Sequence, residues 1–348
     1  MVFGADMEGT EWAQGRLAEG DGPMTPFSIS REKATEIALF CKVAKANESA
    51  LSLKEIIQLT SLDLSEEGLA RAWHSAPALS KYEIGDYGVV YEKEECQAER
   101  QASSVEQNER KQRANANIEY ARKFAELIGG IHNRKAQVIS ISGSTSYFSV
   151  SRQDDLDIFC IARRGSMWSI LCKSLLLARA LKVSDDKSPQ LCLSYIMDEE
   201  YALREFTRPQ DGLFARDAIS TLVIHGADFY NSLLAKSDWM RAYFPAMYAA
   251  KIGGGDRDTQ EFQSRHSQDL VTPARVRPRE RILNLFLYAT AGTYIRMKSY
   301  LLNRRFAKKR QKSRAFRLRI GPDRCIYESL NYLELRKMYS KLEKRVTS

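Results

Sequence analysis

An apolar run, a Gly-Ser pair and an Asp-Leu-Asp triplet follow one another near the middle of this 348-residue chain. The run Val138–Ile141 leads to Gly143-Ser144, and ten residues later Asp155-Leu-Asp157 opens a second apolar run. Short apolar runs next to a glycine predict two strands joined by a tight connection. Because side chains alternate along a strand, Asp155 and Asp157 are expected on one face and the leucine between them on the other.

The same order predicts a site for a phosphate and a metal ion. A glycine at 143 lets the backbone approach a phosphate, and Ser144 offers a hydroxyl. A short helix predicted from Thr145 would direct its first amides at the same anion. The carboxylates of Asp155 and Asp157 suit Mg²⁺ or Mn²⁺, which prefer oxygen ligands. Each pair alone is common on solvated strand edges, so the prediction depends on their order.

This order of elements resembles the signature of the DNA polymerase β-like nucleotidyltransferase superfamily. The resemblance implies transfer of a nucleoside monophosphate from an NTP to an acceptor hydroxyl, with release of pyrophosphate. It assigns binding of the triphosphate to Gly143 and Ser144, and Thr145 at the predicted helix start is a further candidate for this contact. It assigns the metal ion to Asp155 and Asp157. The implied chemistry is two-metal phosphoryl transfer.

The wider chain resembles a group of prokaryotic nucleotidyltransferase-domain proteins in which a winged helix precedes the catalytic motif. The matching segments are an aromatic helix at Met167-Trp168, a strand at Leu191–Tyr195 and the segment Trp239–Pro245. Members of the superfamily usually present a third carboxylate on a later strand. Here the first acid of the third strand is Asp198, at its end, and it is expected either as the third catalytic carboxylate or as the N-cap of the following helix.

The coarse pattern predicts an α/β (α+β) protein: a small mixed sheet of nucleotidyltransferase type flanked by helices, an N-terminal winged helix-turn-helix and a helical C-terminal part. Strands are expected near 138–141, 156–161 and 191–197, and helices near 167–181, 216–234 and 326–342. Ser52 and Glu55 form a capping-box pattern. The expected organisation is a disordered tail (1–25), a winged helix-turn-helix (26–95), a connecting helix (96–130), a nucleotidyltransferase core (131–250), a flexible link (251–280) and a basic helical region (281–348).

The net charge of +9 favours a polyanionic partner such as nucleic acid or an NTP. Nine cations lie between Arg304 and Arg319 with no acid among them, and the rest of the chain is balanced at 44 basic and 44 acidic residues. Two hypotheses remain open: a phosphate-contacting surface for RNA, on which Phe306 and Phe316 stack on bases, or a solvated helix and loop. The candidate nucleic-acid contacts are Arg304, Arg305, Lys308, Lys309, Arg310 and Lys312.

The six scattered cysteines contain no Cys-x-x-Cys pair, which argues against a zinc knuckle and favours a reducing cytoplasm. The longest apolar stretch, Ile282–Ile295, is too short to span a bilayer, so no membrane association is expected. Two functions are therefore predicted as alternatives. The first is a magnesium-dependent nucleotidyltransferase acting on RNA or, next, on a protein hydroxyl. The second is a catalytically degenerate core that binds nucleotide or nucleic acid as a regulator, with a protein partner at the winged helix.

Overall fold

The computed structural model describes residues 28–46, 51–85, 88–93, 97–132, 135–151, 154–185, 188–253, 278–309, 315–330, 332–337 and 339. Helices and two sheets, of three and six strands, make a mixed α/β protein. The predicted tail (1–25) and most of the predicted link (251–280) lie outside the described residues. Within the described ranges, no helix combines the length and apolar character needed to cross a bilayer.

The N-terminal part joins three helices to a small antiparallel sheet with strand order β1-β3-β2. Ser52 accepts a hydrogen bond from the amide of Glu55, and the Glu55 carboxylate accepts one from the amide of Ser52, so the predicted capping box is confirmed. Fully buried Ile37, Ile56 and Leu69 form the centre of its core. The elements are α1 (Arg31–Ala46), β1 (Leu51–Ser52), α2 (Leu53–Thr60), α3 (Glu66–Trp73), β2 (Tyr82–Ile84) and β3 (Val89–Glu92).

A long helix, α4 (Gln97–His132), leads into the six-stranded sheet. The side chains predicted for its apolar face include Ala121, Phe124 and Ile128, and all three are buried. Gly129 does not end the helix, which continues to His132. The apolar face of α4 packs on the sheet, so the helix belongs to the same core as the candidate motif.

The large sheet has the strand order β7-β4-β5-β6-β9-β8, in which β5 and β6 are parallel and the other neighbouring pairs are antiparallel. The connection between the two parallel strands is a helix, as parallel pairing requires. The strands are β4 (Ala136–Ile141), β5 (Leu156–Ala162), β6 (Leu191–Asp198), β7 (Leu222–His225), β8 (Phe316–Gly321) and β9 (Arg324–Ser329).

Helices cover both faces of this sheet, and the alternation of β5 explains why two cores form. Phe159 and Ile161 pack into one apolar cluster, and Ile158 and Cys160 pack into the other. The helices are α5 (Gly143–Ser146), α6 (Met167–Ser184), α7 (Glu199–Thr207), α8 (Gly212–Ser220), α9 (Ala227–Ala235), α10 (Pro245–Gly253) and α11 (Pro278–Lys308). Cys41, Cys160 and Cys325 are buried free thiols.

Two predictions of secondary structure are wrong. The helix expected over 216–234 is divided into α8 and α9 by strand β7, which pairs with β4. Gly226, with a φ of 80° and no room for a Cβ against the carbonyl oxygen of Gln137, forms the turn from β7 into α9. The C-terminal part is not wholly helical either. Strands β8 and β9 form a hairpin that joins the main sheet beside β6, and β9 occupies the start of the helix expected over 326–342.

Candidate functional site

The Gly-Ser turn and the Asp-Leu-Asp strand contact each other directly. The amide of Ser142 donates a hydrogen bond of 3.1 Å to the carbonyl oxygen of Asp157, which fixes the end of β4 against β5. Gly143 has a φ of 65°, and a Cβ at this position would lie 2.5 Å from the Asp157 carboxylate oxygen Oδ2. Glycine suits this backbone conformation, and any larger residue would require the Asp157 side chain to shift.

The two aspartates differ in exposure. Asp155 lies just before β5 and is exposed, and the Gln190 amide is 3.5 Å from its carboxylate oxygen Oδ2. Asp157 lies inside β5 and is half-buried, between Leu156 and Ile158, which are both fully buried in the cluster on the other face. This alternation agrees with the predicted period of two.

Both carboxyl groups are held in a setting that disfavours their charge. Burial raises the pKa of Asp157 to about 6, although hydrogen bonds with Ser194 and Cys192 act in the opposite direction. Partial burial, followed by the charge of Asp154, raises the pKa of Asp155. A bound cation would relieve both effects, because a nearby positive charge favours the ionised carboxylate.

Asp154 stabilises the loop between α5 and β5 and is not part of the pair formed by Asp155 and Asp157. Its carboxylate accepts hydrogen bonds from the Ser151 amide at 2.9 Å and from the Ser151 hydroxyl at 2.7 Å. Burial alone would raise the pKa of Asp154, but these bonds, a further one with the Ser144 side chain and the charge of Arg110 lower it. Asp154 therefore holds the connection between α5 and β5 in place.

The side chains of Ser144 and Thr145 are also used within the loop. Ser144 hydrogen-bonds Asp154, and its carbonyl accepts the amide of Ser149 at 3.0 Å. Thr145 is 1% exposed, and its hydroxyl accepts a hydrogen bond of 3.2 Å from the Asn117 side chain. The helix begins at Gly143 and not at the predicted Thr145. The Thr145 side chain therefore ties the loop to α4, and the expected contact of its amide with a phosphate stays a prediction.

The structure contradicts Asp198 as a third catalytic carboxylate. In the parallel pairing of β5 with β6, Asp157 faces Cys192, whereas Asp198 faces Ala162 at the other end of the sheet. Asp157 and Ala162, the strand partner of Asp198, are five residues apart, which corresponds to about 16 Å along the strands. Asp198 is the N-cap of α7 and accepts a hydrogen bond of 2.9 Å from the Tyr201 amide. The N-cap, which was the other expectation for this residue, is confirmed.

Beside Asp157, strand β6 presents a hydroxyl and a thiol. The register of β5 and β6 shifts between Asp157 and Phe159, and Ser194 and Cys192 both hydrogen-bond the Asp157 carboxylate. The same shift places Leu193 and Ile196 in one cluster, although a regular strand with a period of two would put them on opposite faces. Among the described residues, no group of three or more His, Cys, Asp or Glu side chains is arranged to hold a metal ion.

A buried polar network next to the turn was not found from the sequence. The Tyr147 hydroxyl, one residue beyond α5, donates a hydrogen bond of 2.6 Å to Asp217 of α8. The Arg216 guanidinium lies 4.5 Å from the centre of the Tyr147 ring and donates a hydrogen bond to the Tyr339 hydroxyl. Burial raises the pKa of Asp217, and the bond from Tyr147 and the charge of Arg216 oppose that shift. Residues separated by about seventy positions give no local pattern that would have revealed this network.

The part of the basic run that the structure describes does not form one surface. Arg304, Arg305, Lys308 and Lys309 are exposed at the end of α11, whereas Arg310 and Lys312 lie outside the described residues. Arg319 points inward and forms ion pairs with Glu205 at 3.2 Å and with Glu328 at 3.5 Å. The Phe316 ring packs on Tyr327 with 5.4 Å between ring centres, so it is engaged within the protein.

Comparisons with protein-family models, with curated proteins and with solved structures found no match to this chain.

Proposed function

We propose that the chain is a nucleotidyltransferase that uses Mg²⁺ or Mn²⁺ to move a nucleoside monophosphate from an NTP to an acceptor hydroxyl. The observation that supports this proposal is the contact between Gly143 and Asp157. A glycine with positive φ leaves the space above a half-buried carboxylate free of side chain. A phosphate and its metal ion need such a close approach of backbone and carboxylate.

The donor atoms fit a magnesium ion. Mg²⁺ is bound through one or two carboxylates, with substrate phosphates and water as its other ligands. Asp155 and Asp157 supply hard oxygen donors on one side of β5, next to the turn. When bound, the metal would stabilise charge on the attacking and leaving oxygens of the displaced phosphoryl group.

The protein's own residues would bind and orient. Asp155 and Asp157 would hold the cation, and the backbone at Gly143 would admit the triphosphate. The hydrogen bonds that Ser194 and Cys192 make with Asp157 would fix the direction of that carboxylate. In the transfer, the acceptor oxygen would bond to the α-phosphorus, the bond from that phosphorus to the pyrophosphate oxygen would break, and the acceptor hydroxyl would release its proton to water.

The direct test incubates the purified chain with each α-labelled NTP and Mg²⁺, with and without total RNA. We expect label to appear in an acceptor with wild type and to fall to background with Asp155→Asn combined with Asp157→Asn. The double variant should stay folded, because it removes two carboxylates whose charges are disfavoured where they lie. The matched control is Asp198→Asn, which alters a buried aspartate about 16 Å away and should keep activity. Equal labelling by the double variant would refute the site.

Strand β6 favours a second candidate function, binding of nucleotide without transfer. The superfamily that the chain resembles usually has a third carboxylate on a later strand. Here the residues of β6 that hydrogen-bond Asp157 are Ser194 and Cys192. The metal that activates the acceptor would then have fewer ligands from the protein. Magnesium-dependent NTP binding that Asp155→Asn with Asp157→Asn abolishes, together with no transfer to any acceptor, would select this regulatory function.

RNA is the proposed acceptor, with the exposed cations at the end of α11 as its contact. For about five phosphate contacts to single-stranded RNA, log K against log salt should slope near −3.5. Replacing Lys308, Lys309 and Arg310 by Gln should weaken binding and flatten the slope by about two units. A matched control replaces three exposed lysines elsewhere, Lys54, Lys111 and Lys123. Equal loss in both variants, or a flat salt dependence, would move the acceptor hypothesis towards a protein.

The N-terminal part is proposed to be a winged helix that docks a protein. Its three helices and three-stranded antiparallel sheet support that assignment. The first turn of α3 carries Glu66 and Glu67, which would repel a DNA backbone. Docking of a protein is therefore favoured over DNA recognition.

A further inference from the structure

The long helix α11 carries an apolar stripe on the side that faces away from the protein. Its buried side chains, such as Asn284, Ile295 and Ser299, contact the body on the opposite face. The stripe runs over about five turns and contains seven large side chains that are between 46% and 68% exposed: Ile282, Leu283, Phe286, Tyr294, Met297, Tyr300 and Leu301. A helix that only covers the sheet would carry polar residues there.

The polar side chains within this stretch do not make the stripe hydrophilic. The hydroxyls of Thr290 and Thr293 donate hydrogen bonds to the helix carbonyls of Phe286 and Ala289, at 2.9 Å and 2.7 Å. Their methyl groups are therefore what the stripe presents. The Arg296 side chain bends back and bonds the Tyr288 hydroxyl at 2.7 Å. Between Ile282 and Leu301, the stripe itself carries no charged residue.

The apolar area exposed on the stripe is as large as that of a protein–protein interface. Side chains of this size, when about 60% exposed, each offer roughly 100–150 Å² of surface. Seven of them amount to about 800 Å², which is the area that each partner contributes to a stable complex. The largest apolar patch of an ordinary monomer is about 300–600 Å².

The stripe is complementary to itself when a second copy is laid against it in the antiparallel direction. With the two-fold axis at the level of Ala291 and Gly292, large apolar residues face one another and small residues meet in the centre. The facing pairs are Ile282 with Leu301, Leu283 with Tyr300, Phe286 with Met297, Ala289 with Tyr294, and Thr290 with Thr293. A two-fold interface requires this reciprocity, since residue i contacts j and j contacts i.

We infer that the chain forms a homodimer through antiparallel pairing of α11 with α11 of a second copy. The inference is independent of the proposed function. The same pairing places Arg279 opposite Arg304 at each end of the interface. Because these like charges are exposed, added salt should screen their repulsion and strengthen the dimer.

The test measures the mass of the full chain by sedimentation over a range of concentrations, with Phe286→Glu, Met297→Lys and wild type compared. Each variant homodimer would bury two charges in apolar surroundings, so we expect its dissociation constant to rise at least about 100-fold. An equimolar mixture of the two variants should dimerise again. In that heterodimer Glu at 286 faces Lys at 297, and the other pair, Met297 with Phe286, is wild type.

The control is Leu176→Glu on α6, a leucine that is 69% exposed outside the stripe, and it should leave the dimer unchanged. A wild-type chain that is monomeric at all concentrations would overturn the proposal. If Phe286→Glu lowered the melting temperature without changing the mass, the stripe would be covered by another part of the same chain, which would also overturn it. Dimerisation of each variant alone, or failure of the mixture to recover, would contradict the antiparallel register.

Discussion

The two ends of the β5–β6 pair each hold an aspartate whose pKa burial raises to about 6, yet the two residues have different partners. Asp157, near the start of β5, is met by the side chains of Ser194 and Cys192. Asp198, at the end of β6, receives the Tyr201 amide, and the acids at 323, 200 and 199 raise its pKa further. A perturbed pKa therefore marks both a candidate site and a helix cap here.

The space around each carboxylate separates the two roles. Above Asp157, Gly143 adopts a positive φ and contributes no side-chain atom. Above Asp198, helix α7 begins and occupies the corresponding space, and the Asp198 amide is taken by the carbonyl of Asp323 at 2.9 Å. A raised pKa is therefore shared by an acid beside a glycine turn and an acid that caps a helix, and the local backbone distinguishes them.

The largest change in this comparison should come from Gly143→Ala, which closes the space at the Asp157 end. The new Cβ would lie 2.5 Å from the Asp157 carboxylate in a strained backbone conformation. We expect a loss of about 1–3 kcal/mol in the free energy of unfolding and a loss of magnesium-dependent NTP binding. Urea denaturation and isothermal titration measure the two effects.

Gly129→Ala is the matched control for that variant. Gly129 lies in α4, and no atom lies within 4 Å of the Cβ that it would gain. This helical substitution should stabilise the fold by about 0.5–1 kcal/mol and leave binding unchanged. If Gly143→Ala behaved like Gly129→Ala, the close approach at the turn would have no functional meaning.

The effect expected at the Asp198 end is confined to stability and does not extend to binding. The folded-state pKa is raised from 3.8 to about 6, so the folded protein holds the proton more tightly than the unfolded chain. The free energy of unfolding should therefore fall as pH rises from about 4 to about 6.5. Asp198→Asn keeps an N-cap without the charge. The decrease in the free energy of unfolding over this pH range should therefore be smaller in this variant by up to about 2–3 kcal/mol.

The comparison of Asp198→Ala with Asp198→Asn separates the contribution of the N-cap to stability from that of the charge. Neither variant carries the carboxyl group, so at every pH the alanine variant should be less stable than Asp198→Asn by about 0.5–2 kcal/mol, which is the value of an N-cap. Denaturant melts of the three proteins at several pH values provide the measurement. A wild type whose stability rises over this pH range would contradict the assigned direction of the shift.

Features that depend on near neighbours in the chain were predictable. The Ser52–Glu55 capping box closes within four residues, and strand β5 was expected at 156–161 and is observed at Leu156–Ala162. The position of Asp157 on the face opposite buried Leu156 and Ile158 follows from the period of a strand. The sequence left two alternatives for Asp198, the N-cap of the following helix and a third catalytic carboxylate. Both were open because the residue fits a local capping pattern and also lies at the end of a strand.

The sequence by itself determined the order of the strands and helices around the motif, the glycine at the turn and the spacing of the two aspartates, since these depend on local backbone geometry and on hydrophobic period. Only the tertiary structure decided that Asp198 lies at the far end of the sheet, because that depends on the parallel register of β5 with β6. It also decided that the hairpin of β8 and β9 closes the sheet beside β6, since buried Cys325 and Ile326 gain their partners from a strand about 130 residues away. Pairing between distant strands is selected by burial over the whole fold, and no local pattern records it.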